Sequence, residues 1–129
     1  MPIASALRVL VVEDQASMRA LVVAALRGLG IGQIAEAADG EAGLRALLLA
    51  PAQLILSDAE MPGMDGVSLL RAVRAHPPIA STGFIMLTGR AEKAFVEKCI
   101  GYGVNNYILK PVTPEVLREK IERVMGKLI

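Results

Sequence analysis

Cysteine, aromatic residues and excess charge are all scarce in this sequence, and each scarcity removes a class of protein. Cys99 is the single cysteine, so no internal disulfide staples the chain, which fits a reducing compartment. Tryptophan is absent and aromatic residues make up only 3% of the chain, so aliphatic side chains must build the core. Fourteen basic residues stand against 13 acidic ones, for a formal charge of +1. That balance, without a basic cluster, offers no bulk attraction for nucleic acid or an anionic membrane, and neither is expected as a partner. The longest apolar runs, such as Ala20 to Leu26, fall far short of the roughly 18 residues of a spanning helix. The first apolar run lacks a signal peptide's charged leader and ends at Glu13 and Asp14. Repeats, linkers and low-complexity tracts are missing too. The expectation is one cytoplasmic domain, residues 1–129, acting as a monomer.

What is present is an alternation organised around Leu54 to Gly66, LILSDAEMPGMDG. Leu54, Ile55 and Leu56 are too short a run for a buried helix and read as a strand buried on both faces, ending at Ser57 and Asp58. Pro62-Gly63 punctuates the loop behind it. Before it, Arg8 to Val12 reads as a first strand, then Met18, Leu21, Val22, Ala25, Leu26 and Leu29 recur at helical spacing until Gly30 stops them. Gln33 to Ala37 is a second strand, and Asp39 can cap a helix carrying Ala42, Leu44, Leu47 and Leu48 that Pro51 breaks. After it come a helix from about Asp65 to His76, a strand at Phe84 to Leu87, a helix from about Glu92 to Ile100, and a strand at Asn106 to Leu109. Thr113 caps a last helix, with Pro114 in its first turn and Leu117, Ile121, Val124 and Leu128 as its apolar stripe. Five such units predict an α/β fold, a doubly wound five-stranded parallel sheet with five helices.

In a parallel sheet the carboxyl ends of the strands share one edge, where ligands bind. Glu13 and Asp14 close the first strand, Asp58 the third, Thr88 the fourth and Lys110 the fifth. Singly, such residues are ordinary caps of the helices that follow. Together they gather three carboxylates, a hydroxyl and an ammonium. Two carboxylates about 4 Å apart repel by roughly 4 kcal/mol at an effective dielectric of 20, so a fold gains nothing from collecting them unless a cation binds or a proton is held. Oxygen ligands with no histidine or cysteine beside them suit Mg²⁺, and Lys110 and Thr88 suit a phosphate. The set reads as a carboxylate nucleophile, Asp58, with a metal for phosphoryl transfer.

Four stretches, VVEDQ (Val11 to Gln15), SDAEMPGMDG (Ser57 to Gly66), LTGR (Leu87 to Arg90) and YILKP (Tyr107 to Pro111), stand in one order and spacing. In them the chain, from about Leu7 to Leu128, resembles a response-regulator receiver domain of the stand-alone, CheY-like kind. The resemblance implies a flavodoxin-like fold without an output domain. It implies that Asp58 accepts phosphate from a histidine kinase. Asp14 and Asp58 would bind Mg²⁺ directly, Glu13 through water, and Glu60 through its backbone carbonyl. Thr88 and Lys110 would hold the phosphoryl group. Tyr107 would turn inward when Thr88 moves, and a downstream protein, in chemotaxis or elsewhere, would read the face of the fourth helix, fifth strand and fifth helix. The Lys110-Pro111 bond would be cis, an isomer with a low penalty before proline. Glu13 stands where Asp is more usual in the family.

Glu60, Gly89 and Arg90 would flank the entrance, with Glu60 and Arg90 pairing across it as a weak gate worth about 0 to 1 kcal/mol. Bland readings serve elsewhere. Gly28, Gly30 and Gly32 follow a helix and make a stop and turn, not a dinucleotide loop. His76 sits at a helix C-terminus, Cys99 packs as a small apolar residue, and Met61 and Met64 pack the turn. Two rival functions share the nucleophile's neighbourhood. An aspartyl-phosphate hydrolase would want an acid two residues after Asp58, for which Glu60 is a poor fit. A phosphate-independent interaction module would not need Asp14, Asp58, Thr88 and Lys110 intact. A phosphatase assay separates the first, and Mg²⁺-dependent labelling by acetyl phosphate the second.

Overall fold

In the computed structural model, which describes residues 1–129, the strands are β1 (Arg8–Val12), β2 (Gln33–Ala37), β3 (Leu54–Asp58), β4 (Gly83–Thr88) and β5 (Asn106–Leu109). They form one sheet in the order β2-β1-β3-β4-β5, and every pairing is parallel. The helices are α1 (Ala16–Gly28), α2 (Gly40–Leu49), α3 (Gly66–Ala75), α4 (Lys93–Gly101) and α5 (Pro114–Met125). Short 3-10 turns at Ala4–Ala6 and Pro77–Ile79 were not expected.

Strand residues alternate between the two faces, and each face is a separate apolar layer. Val9, Val11, Leu54, Leu56, Ile85, Leu87 and Ile108 pack on α1 and α5 through Val22, Leu26, Leu117 and Ile121. Leu10, Val12, Ile55, Phe84 and Met86 face α2, α3 and α4 through Leu47, Leu69, Leu70, Val73, Phe95 and Cys99. The central strands β3 and β4 are buried along their whole length, because helices cover both sides. Aliphatic side chains do nearly all of this; Phe84 is the one aromatic fully enclosed.

Three helix starts are fixed by side-chain caps, two of them, Asp39 and Thr113, expected as caps and the third, Asp65, expected only as a helix start. Asp39 Oδ1 accepts from the Ala42 N–H at 2.7 Å, Asp65 Oδ1 from Ser68 at 2.8 Å, and Thr113 Oγ1 from Val116 at 3.2 Å. One placement needs correction. Leu128 is not on the stripe of α5, because the helix stops at Met125 and Gly126 turns away at φ 91°. Leu128 still reaches the same apolar layer, held by its N–H donating to Glu122 Oε2 at 2.9 Å. Beyond it the termini clasp: Ile129 N–H donates to Pro2 O at 3.0 Å, and Ala4 N–H to Ile129 O at 2.8 Å.

Arg74, in the last turn of α3, knits the bottom of the α4 side. Its guanidinium donates to the carbonyls of Gly103 (3.0 Å), Ala80 (3.0 Å) and Thr82 (2.6 Å) and to Asn105 Oδ1 (3.0 Å). The same Asn105 oxygen accepts the Phe84 N–H at 2.8 Å, so the loop between α4 and β5 is tied to both α3 and β4.

Two glycines test the packing. A Cβ on Gly28 would meet nothing within 4 Å, whereas one on Gly66 would run into the Asp58 carbonyl and Met86 Sδ. Gly28→Ala should therefore raise stability by about 0.5 kcal/mol through the unfolded chain. Gly66→Ala should lower it by about 1–3 kcal/mol through overpacking. Urea midpoints at unchanged m-value measure both.

Candidate functional site

The register of the sheet brings the expected rim residues to one edge. Val12 lies beside Ser57, Asp58 beside Leu87, and Thr88 beside Leu109, so the ends of β1, β3, β4 and β5 are level. The Lys110 N–H donates to the Thr88 carbonyl at 2.9 Å, which carries that alignment one residue past β5. Carboxylate oxygens of Glu13, Asp14 and Asp58 all lie within 4.8 Å of one another. Lys110 Nζ stands 2.8 Å from Asp58 Oδ1 and 3.8 Å from Glu13 Oε1. Asp14, Gln15, Asp58, Ala59, Glu60, Thr88, Gly89 and Lys110 line one mouth of about 290 Å³.

Each member differs in environment. Glu13 is only 1% exposed, Asp58 is buried, and Asp14 is open to solvent. Thr88 is buried, and its Oγ1 accepts the Arg90 N–H at 2.9 Å, which leaves the hydroxyl proton free to donate. A Cβ on Gly89 would meet nothing within 4 Å, so the entrance is sterically open there. The Lys110-Pro111 bond is cis, as expected. Tyr107 is half-buried next to Met86 in the β4 register, with Lys120 Nζ 5.7 Å from its ring centre.

The acid cluster fits a divalent cation. Glu13 Oε1 is buried without a hydrogen-bond partner, a vacancy in bonding that a cation or its water can satisfy. Every ligand atom on offer is a carboxylate oxygen, a set suited to a hard cation rather than to zinc.

The pair expected between Glu60 and Arg90 does not form. Arg90 Nε lies 3.5 Å from Glu92 Oε2, and its guanidinium sits 4.4 Å from the Phe95 ring centre. A nearby acid on its own loop and an aromatic face hold it at little entropic cost, while Glu60 borders the same cleft unpaired. Sequence reasoning also passed over Arg19, whose guanidinium reaches the backbone of Glu13; an arginine in a helix's first turn carries no signal of that reach.

The family model for the response regulator receiver domain matches residues 9–122. The chain belongs to the response-regulator receiver domains. Among its receiver relatives is the probable chemotaxis protein CheY of Rhizobium etli, 41% identical over 128 residues that cover 99% of each chain. Among solved structures, the chemotaxis protein CheY4 of Vibrio cholerae superposes with a TM-score of 0.87 at 31% identity, covering 92% of this chain and 98% of that one. The receiver domain of a sensor histidine kinase from Pseudomonas aeruginosa, solved with a magnesium ion coordinated in its active-site cleft, matches at a TM-score of 0.84 and 30% identity, covering 94% and 98%. This receiver is thus a signalling protein that resembles the CheY chemotaxis regulators along its length, and a phosphoacceptor role fits it. No helix is long and apolar enough to cross a membrane.

Burial above all, then the Asp58 carboxylate beside it, lifts the Glu13 carboxyl from 4.5 to about 7; Lys110 opposes the rise and Asp14 adds to it. The folded protein therefore keeps a proton between those values that the unfolded chain has lost, so this group's contribution to stability falls as pH rises from 4.5 to about 7. Thermal melts without divalent cations should show that decline, and Glu13→Gln should flatten it. A dication competes with the proton, so the melting-temperature gain from Mg²⁺ should be larger near pH 8 than near about pH 5.5.

Proposed function

We propose that this receiver takes a phosphoryl group onto Asp58 from a histidine kinase in a Mg²⁺-dependent reaction and passes the signal to a downstream protein through its α4–β5–α5 face. The observation that carries the reading is the contact of Lys110 with Asp58, 2.8 Å, inside a carboxylate cluster 4.8 Å across. In this reading Asp14, Asp58 and the Glu60 backbone carbonyl hold Mg²⁺, and Glu13 reaches it through water. Bound there, the metal neutralises charge on the phosphoryl oxygens.

The residues divide the work. A carboxylate oxygen of Asp58 attacks phosphorus, the bond from phosphorus to the donor's imidazole nitrogen breaks, and the nitrogen leaves with its electron pair. Lys110 passes from the carboxylate to a phosphoryl oxygen, exchanging one ion pair for another. Thr88 donates its free hydroxyl proton to a second oxygen. Gly89 leaves the approach unobstructed, and Glu60 and Arg90, which do not pair, line the adjoining cleft. Hydrolysis of the acyl phosphate by water at the same mouth resets the protein, so it catalyses its own phosphorylation and dephosphorylation and no other turnover.

The readout follows from Thr88. Drawn toward the phosphoryl group, it vacates space beside β5 into which the half-buried Tyr107 ring turns, away from Lys120. Inverting a population from 1:99 to 99:1 takes about 5.5 kcal/mol, within reach of a few charge-assisted hydrogen bonds plus a metal. Leu109 and Ile100, both exposed, add apolar area to the face that changes.

Acetyl phosphate with Mg²⁺ should label the protein with one acid-labile phosphate. Asp58→Asn should abolish the label, and Lys110→Ala should slow labelling roughly 100-fold through loss of a preorganised charge. Labelling of Asp58→Asn to the wild-type level would remove the assignment. A beryllofluoride complex at Asp58 should shift the Tyr107 ring resonances, and unchanged resonances would remove the switch.

A further inference from the structure

Arg19 is a side chain outside the acid cluster that grips the cluster's backbone. It stands in the first turn of α1 with its side chain 21% exposed. One guanidinium nitrogen donates to the carbonyl oxygen of Glu13 at 2.7 Å. Nε donates to Glu36 Oε1 at 3.3 Å. From the other side, the Glu13 N–H donates to the Ala37 carbonyl at 3.0 Å, one residue along β2 from Glu36. Both peptide groups of Glu13 are therefore fixed. The planar Glu13–Asp14 peptide sets the direction in which Asp14 leaves β1, and Arg19 holds its oxygen.

Simple charge argues against placing an arginine here. A guanidinium one peptide away from carboxylates that hold a dication repels that dication. Glu36 answers the objection, because its carboxylate pairs with the same guanidinium and cancels much of its field at the cluster. A fold that wanted only charge at this point has no use for the pair. A fold that wanted a rigid donor to the Glu13 carbonyl needs the fork of an arginine and then needs its charge offset.

We propose that Arg19 is a positioning residue for the divalent-cation site: it orients the Glu13–Asp14 peptide, and Glu36 neutralises it so that orientation is not undone by repulsion. This rests on the reading of the acid cluster as a Mg²⁺ site. Orientation and charge make opposite demands on affinity, so the sign of one measurement decides between them.

Calorimetric Mg²⁺ titrations of wild type, Arg19→Lys, Arg19→Gln and Arg19→Met at one salt concentration carry the test. The dissociation constant should rise from Arg to Lys, which keeps the charge but has one donor nitrogen in place of the fork, and again to Gln and Met. The last should lie about tenfold above wild type, the low end of what partners of ligating groups contribute. The order is read among the variants whose amide spectra show a folded protein. An unchanged constant, or a tighter one on loss of the charge, overturns the proposal. A second readout needs no metal. The Asp14 N–H donates to Glu13 Oε2 at 3.1 Å, and its hydrogen exchange should quicken severalfold in Arg19→Gln or Arg19→Met; unchanged exchange also overturns the proposal. If wild type takes up no Mg²⁺, the metal reading fails, while the exchange of Asp14 still decides whether Arg19 orients the peptide.

Discussion

The ammonium of Lys110 makes the rim of this sheet tolerable. Three carboxylates within 4.8 Å, one of them almost sealed from water, repel one another, and Lys110 is the cation set among them, at 2.8 Å and 3.8 Å from two. The strand order answers to this contact. Asp58 must end a strand flanked by β1, which brings Glu13 and Asp14, and by β4, beyond which β5 delivers Lys110. A slip of one residue in β5 would turn Lys110 to the other face and leave the acids without their cation. Ile108, the buried residue of β5, sits in the layer under α1 and α5 and opposes the slip.

The same crowding explains why the site is poised rather than settled. A buried glutamate oxygen lacks a partner, a lysine stands between two acids, and a threonine hydroxyl has accepted a bond without donating one. Each is a bonding capacity left open at the mouth, and together they match what a cation and a phosphoryl group bring. A core would close such capacities, so their survival side by side supports the reading of this mouth as the site of phosphoryl transfer.

Much of this was legible in the residues. The apolar run Leu54 to Leu56 against Ser57-Asp58, the breakers Gly30, Pro51 and Pro77, and the caps Asp39 and Thr113 are local signals, and the strands fell within a residue of their expected bounds. The rim followed from topology, because parallel strands put their ends on one edge. What escaped was long-range or conformational. Leu128 continues a helical stripe on paper, but the left-handed turn at Gly126 carries it off the helix and back to the core. Arg90 had two acids within reach, and charge alone does not say that Glu92 and the Phe95 ring hold it instead of Glu60. Arg19 and Arg74 act by reaching backbone carbonyls far along the chain, which leaves no periodic trace.

The knot at Arg74 has a mechanical meaning. It anchors the carboxyl end of α4 through Gly103 and Asn105, while the start of that helix has no side-chain cap and follows the open turn at Gly89. A rod fixed at its base and loose at its tip pivots, so any displacement of α4 is smallest beside Gly101 and largest beside Lys93. Arg74 is the fulcrum of such a motion, and the uncapped start of the helix borders the cleft beside Glu60.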